Sequence, residues 1–175
     1  MARRQSTAAG LAIVLIAGGV LVGCGPADTT IGEPAGKAGW LAGDARTKFD
    51  TIAAHLGGFG HTMMEVGYRY EVLYWAGRDG NWEFAAHQVE EMLDALEHGL
   101  ARRPERRQSS ESFLASAIPM MQGVIARRDG AEFAERFETF RAQCNACHTM
   151  EKVSFIWIET PRERAHSWGP LRTGT

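Results

Sequence analysis

The sequence predicts an all-α fold, an antiparallel four-helix bundle, and three observations carry that expectation. Apolar residues recur at spacings of three and four over most of the chain, the period of a helix with one buried face. The stretches that carry this period are joined by links of a few residues marked by Gly, Pro, Asp and Asn, and links that short turn each helix back along its predecessor. Sustained strand-like alternation is absent until Phe155-Ile156-Trp157-Ile158, a short run that Pro161 soon follows.

Residues 40–56 are helix-compatible through Asp44, Ala45, Phe49, Ile52 and Ala53, and Gly57-Gly58 breaks the pattern. The first strongly patterned helix spans 59–77, where Phe59, Met63, Val66, Tyr70 and Leu73 form one inward stripe. Arg78-Asp79-Gly80 closes it, with Gly80 suited to a left-handed C-terminal position, and Asn81 is a natural N-cap for the next helix. There Trp82, Ala85, Val89, Leu93, Leu96 and Leu100 make the second stripe, which should fade near Arg103 because Pro104 disfavours helical geometry in the residue before it. Ser109 or Ser110 is expected to cap the third helix, whose stripe is Phe113, Ala117, Met120 or Met121, and Val124, with a kink at Pro119. Asp129-Gly130 makes a turn, and Asp129 with Glu132 resembles a capping box. Phe133, Phe137, Phe140, Cys144 and Cys147 then form the fourth stripe. The run at 155–158 reads as an extended apolar tail laid back over the helices; left exposed, it would be an association patch.

The N-terminus sets the compartment. Arg3 and Arg4 precede an apolar stretch from Leu11 to Val22, a length typical of a secretory signal and short for a membrane span. It ends in Leu21-Val22-Gly23-Cys24, which reads as a lipobox with Cys24 acylated at the mature N-terminus; the alternative is an uncleaved anchor. The expected organisation is a lipoprotein signal peptide over 1–23, a Gly- and Pro-containing flexible tether over 24–39, a helical domain over 40–161 and a loosely ordered tail over 162–175. Loss of Arg3 and Arg4 leaves 17 Lys and Arg against 21 Asp and Glu. That balance, with no basic stripe, argues against nucleic acid as a partner. Arg102-Arg103-Pro104-Glu105-Arg106-Arg107 is read as a solvated helix end in preference to a docking site for an acidic partner or anionic lipid.

Cys144-Asn145-Ala146-Cys147-His148 carries the chemistry. C-x-x-C-H is the attachment pattern for c-type haem: two thiols form thioethers and the adjacent imidazole ligates iron. On a helix, positions i, i+3 and i+4 share one face, with Cβ atoms about 5–6 Å apart, so all three side chains can reach one macrocycle. With three cysteines in the chain, one taken by lipid and two by haem, none remains for a disulfide. A thioredoxin-type redox pair would expect an α/β pattern around the motif, and zinc would want two further ligands at similar spacing; neither is visible.

A helical bundle with this motif near the end of its last helix resembles the cytochrome c-prime class. A group of small periplasmic bundle cytochromes related to that class is closer still. The likeness rests on Arg69-Tyr70, Leu73-Tyr74-Trp75-Ala76-Gly77, Gly80-Asn81-Trp82 and the haem motif followed by Phe155-Ile156, and it spans roughly 56–161. It implies one covalent haem c, electron transfer and a candidate homodimer. Related sequences tend to carry histidine where this chain has Tyr70, so no role of that histidine carries over.

With His148 on one side of the iron, the ligand on the other side separates an electron carrier from a gas binder. Met63 lies on the inward stripe and is the favoured distal ligand, while Met64 is about 100° around the helix. His61, Met120, Met121 and an open site are the alternatives, and Met63 as plain core is the competing reading. Arg69 and Arg141 are candidate propionate partners; Trp75 and Trp82 read as packing residues, and His55, His87, His98 and His166 have no useful partner spacing. The expectation is a membrane-tethered electron carrier on the periplasmic side of a bacterial membrane, with a periplasmic redox partner. The alternative is a five-coordinate haem protein binding NO or CO. A peroxidase-like enzyme would need a paired distal base and arginine that the sequence does not identify.

Overall fold

The computed structural model describes residues 32–164. The signal peptide, Cys24, His166 and most of the 162–175 tail lie outside the described residues. Those described are all-α, with one isolated backbone bridge and no strand. They fall into two compact units divided between Phe49 and Asp50.

In the first unit, Ala35 and Leu41 exchange backbone hydrogen bonds of 2.8 and 3.0 Å around a tight turn at Lys37–Gly39, within and just beyond the segment expected as tether. Asp44 caps helix α1 (Ala45–His55) by accepting from the Thr47 amide at 2.8 Å, and that bond holds its carboxyl below the usual range.

The second unit holds α2 (Phe59–Arg78), α3 (Trp82–Arg102), α4 (Arg107–Ser112), α5 (Ile118–Arg127) and α6 (Gly130–Met150). Gly80 takes the left-handed conformation (φ 69°), and Asn81 N donates to Ala76 O at 2.9 Å, closing α2 as the Gly predicts. Asn81 then accepts from Phe84 N at 3.3 Å and starts α3. At the head of α6, Asp129 accepts from the amides of Ala131 and Glu132 at 2.9 and 3.0 Å. Glu132 does not complete the box; its carboxylate takes Arg127 at 2.7 and 2.8 Å.

The third helix departs from expectation. Ser109 and Ser110 are not caps: a 3₁₀ turn at Pro104–Arg106 begins the run earlier, and both hydroxyls donate back to Arg106 O at 2.8 and 3.0 Å. The irregularity expected at Pro119 lies one turn earlier, in a π-helical turn at Phe113–Ala117 where Ile118 N donates to Phe113 O. Pro119 follows that turn within a continuous helical run, so the helix widens just before the residue that cannot donate a backbone hydrogen bond.

α2 packs against α3 and α6, and α5 packs against α3 and α6. Phe133, Phe137 and Phe140 of α6 are fully buried, each stabilising the fold by roughly 1.5–3 kcal/mol of apolar burial. Tyr70 and Tyr74 rings lie 4.9 Å from Phe137, and Phe113 lies 4.9 Å from Phe140. Gly77 permits this closeness, because a Cβ there would enter the Phe133 ring; at Gly99 a Cβ would meet Thr62 Oγ1 at 2.6 Å. Burial then falls off at one end. Leu73 and Tyr70 are buried, but Phe59, Met63 and Val66 on the same stripe are only partly so, as is Cys144 beyond Phe140. Two stripes built to face apolar material thus run out into a cleft.

Candidate functional site

α6 delivers Cys144, Cys147 and His148 to that cleft, and α2 delivers Phe59, Met63 and Val66. The cleft has two lobes that share all six residues, with about 380 and 700 Å³ of empty space open to solvent and an almost wholly apolar surface. That apolar lining is the character of a small-molecule site. Leu96 and Phe113 border one lobe; Tyr70, Val153, Ile156 and Ile158 border the other.

The imidazole is oriented by the chain that follows it. Lys152 adopts the left-handed conformation (φ 60°), Lys152 N donates to Thr149 O at 3.1 Å and Val153 N to His148 O at 2.9 Å. This helix-ending motif reverses the chain. The returning segment puts Ile156 O 2.7 Å from His148 Nδ1. A carbonyl only accepts, so Nδ1 carries a proton, and it is Nε2 that holds the lone pair in the neutral ring.

Both cysteines of the motif are free thiols. Burial, and then the neighbouring Cys147, push the Cys144 thiol up to about 12. Their place near the C-terminus of α6 works in the same direction, since the helix dipole there disfavours an anion. A reactive redox thiolate wants the opposite end of a helix. Among the described residues no group of three or more His, Cys, Asp or Glu side chains is arranged to hold a metal ion.

Of the distal candidates, Met63 lines both lobes. Met64 is 74% exposed, His61 is exposed and off the cleft, and Met121 is fully buried in the core with Met120 packed against it. Arg69 is engaged by Glu91, Gln88 and Glu65 at 3.0–3.4 Å, and Arg141 by Glu138 and Ile158 O at 2.8 and 3.2 Å; neither borders the cleft. Arg106 does, although it belongs to a cluster expected from the sequence to be solvated. It pairs with Glu151, which also accepts from Ser109, and its guanidinium lies 5.4 Å from the Phe59 ring centroid. Its Nε is buried with no hydrogen-bond partner. The other arginines of the cluster are spoken for within the fold: Arg102 donates to Thr62 at 3.1 Å, Arg103 to Arg102 O at 2.7 Å and Arg107 to Glu97. His87 Nδ1 stands 3.9 Å from Glu91, and His55 Nδ1 2.8 Å from Thr51 O.

The apolar tail is divided. Val153, Ile156 and Ile158 face the cleft, while Phe155 is 84% and Trp157 61% exposed. Beyond it Arg164 pairs with Asp79 at 2.8 Å and stacks 4.5 Å from the Trp75 ring, and Trp82 packs 5.9 Å from Phe133. No helix among the described residues is long and apolar enough to cross a membrane. Compared with known protein families, curated proteins and solved structures, the chain finds no match.

Proposed function

We propose that the chain is a c-type cytochrome: an electron carrier, not a catalyst, with one covalent haem c on the last helix of an antiparallel four-helix bundle. The observation that carries this reading is the convergence of two thiols, an imidazole with a free Nε2 and a thioether on one apolar cleft. Cys144 and Cys147 would hold the haem by thioether bonds, His148 Nε2 would be its proximal ligand and Met63 its distal ligand. The haem supplies a one-electron Fe(III)/Fe(II) couple when bound.

The residues of the chain do the rest. A neutral Cys144 thiol keeps its sulfur available without a charge to desolvate. The Phe59, Val66 and Phe113 side chains line the cleft with apolar surface, and an apolar shell around a redox centre tunes its potential. Arg106 is the candidate partner for a propionate, since it borders the cleft with an unpartnered buried Nε–H. In the proposed setting, acylated Cys24 tethers the domain on the periplasmic side of a bacterial membrane, which raises its effective concentration near a redox partner.

A gas-binding role is the second reading, and the apolar character of the cleft around Met63 favours it. Spectra of the purified full chain, oxidised and reduced, with and without CO, separate the two. A six-coordinate, low-spin spectrum unmoved by CO is expected; a high-spin spectrum that shifts strongly with CO assigns the site to gas binding.

A further inference from the structure

We propose that Asn145, inside the C-x-x-C-H motif, is a positioning residue that fixes the His148 ring through the returning chain; this rests on the haem reading above only for its redox consequence. Asn145 is buried at 5% exposure, between two cysteines whose spacing alone would accept any residue. Its neighbour Ala146 is exposed. The Asn145 amide grips one backbone residue in both directions: Nδ2 donates to Ile158 O at 2.9 Å, and Oδ1 accepts from Ile158 N at 2.8 Å. Arg141 adds a donor to Ile158 O at 3.2 Å, and the Tyr70 hydroxyl donates to Glu159 O at 3.0 Å.

The returning segment is therefore pinned twice. Its near end is held by Val153 N on His148 O at 2.9 Å and Ile156 N on Val153 O at 2.8 Å. Its far end is held by Asn145. Between the pins lies Ile156, whose carbonyl meets His148 Nδ1 at 2.7 Å. Asn145 sits three residues before His148, one turn away on α6, so the helix that carries the ligand also carries the clamp that aims the ligand's hydrogen-bond acceptor. Only a side-chain amide offers a donor and an acceptor in this arrangement; Asp lacks the donor and Leu lacks both. A carbonyl held on Nδ1–H orients the ring and raises its basicity as a metal ligand, which favours Fe(III) and lowers the potential.

Two full-length variants test this. Asn145→Leu removes the clamp from α6, and Ile158→Pro removes the donor to Oδ1 without touching α6. Circular dichroism establishes that each remains helical. In both, amide exchange over 154–157 should speed up at least about tenfold, the scale of a lost buried hydrogen bond. The ¹⁵N-coupled His148 Nδ1–H resonance should broaden or vanish, and the midpoint potential should shift positive. Faster exchange with an unchanged His148 resonance and an unchanged potential would mean that Asn145 only staples the tail, and would overturn the proposal. A colourless wild-type protein would count against the haem reading, while exchange and the His148 resonance still decide the clamp.

Discussion

Met63 and His148 reach the cleft from different helices, so one substitution can tell a ligand from a core filler. Met63→Ala should open the iron to CO, convert the spectrum to high spin and lower the potential, because a thioether ligand favours Fe(II). As a partly buried side chain, Met63 should cost about 2 kcal/mol when truncated, the low end for such a change. A loss of stability with unchanged spectra would remove Met63 from the ligand set and leave it as packing. The Tyr70 position matters at the same scale. Burial raises its phenol well above the usual value, so it stays a proton donor, and its hydroxyl is spent on Glu159 O. Tyr70 thus serves the returning tail.

At the scale of elements, α2 and α6 are brought together by a glycine. Gly77 leaves room for the Phe133 ring, and a methyl group there has nowhere to go without moving α6. Gly77→Ala should destabilise the fold by about 1–3 kcal/mol despite alanine's better helix propensity; a urea midpoint equal to or above wild type would show that the contact yields. The helix ends divide into legible and illegible ones for physical reasons. Gly80-Asn81 and Asp129 have one good local use each, and both take it. Ser109 and Ser110 have two, since a serine hydroxyl can cap a helix or bond back to the preceding turn, and the choice fell to Pro104 upstream. The π-helical turn before Pro119 left no sequence mark of its own. The site divides in the same way. Cys144, Cys147, His148 and Met63 line the cleft because the C-x-x-C-H motif and spacings of three and four on α6 and α2 carry them to its end of the helices. The Arg106–Glu151 pair and the Asn145–Ile158 clamp join residues 45 and 13 positions apart, which no local period encodes.

For the whole molecule, the unpacked end of the core explains the arrangement of the rest. Three phenylalanines at full burial give way to two half-buried cysteines on the same helix face, and Tyr70 gives way to Val66, Met63 and Phe59 on the helix opposite. Apolar stripes that continue into an open cleft are built around a further apolar body, and on the present account that body is haem. Intact mass spectrometry of the full chain, produced with a haem-attachment system and denatured in acid and organic solvent, tests this most directly. The expected result is a mass increase of one haem that survives denaturation and is lost when Cys144 and Cys147 are both replaced by Ala. A chain that carries no haem and whose Cys144 and Cys147 remain open to alkylation would contradict it.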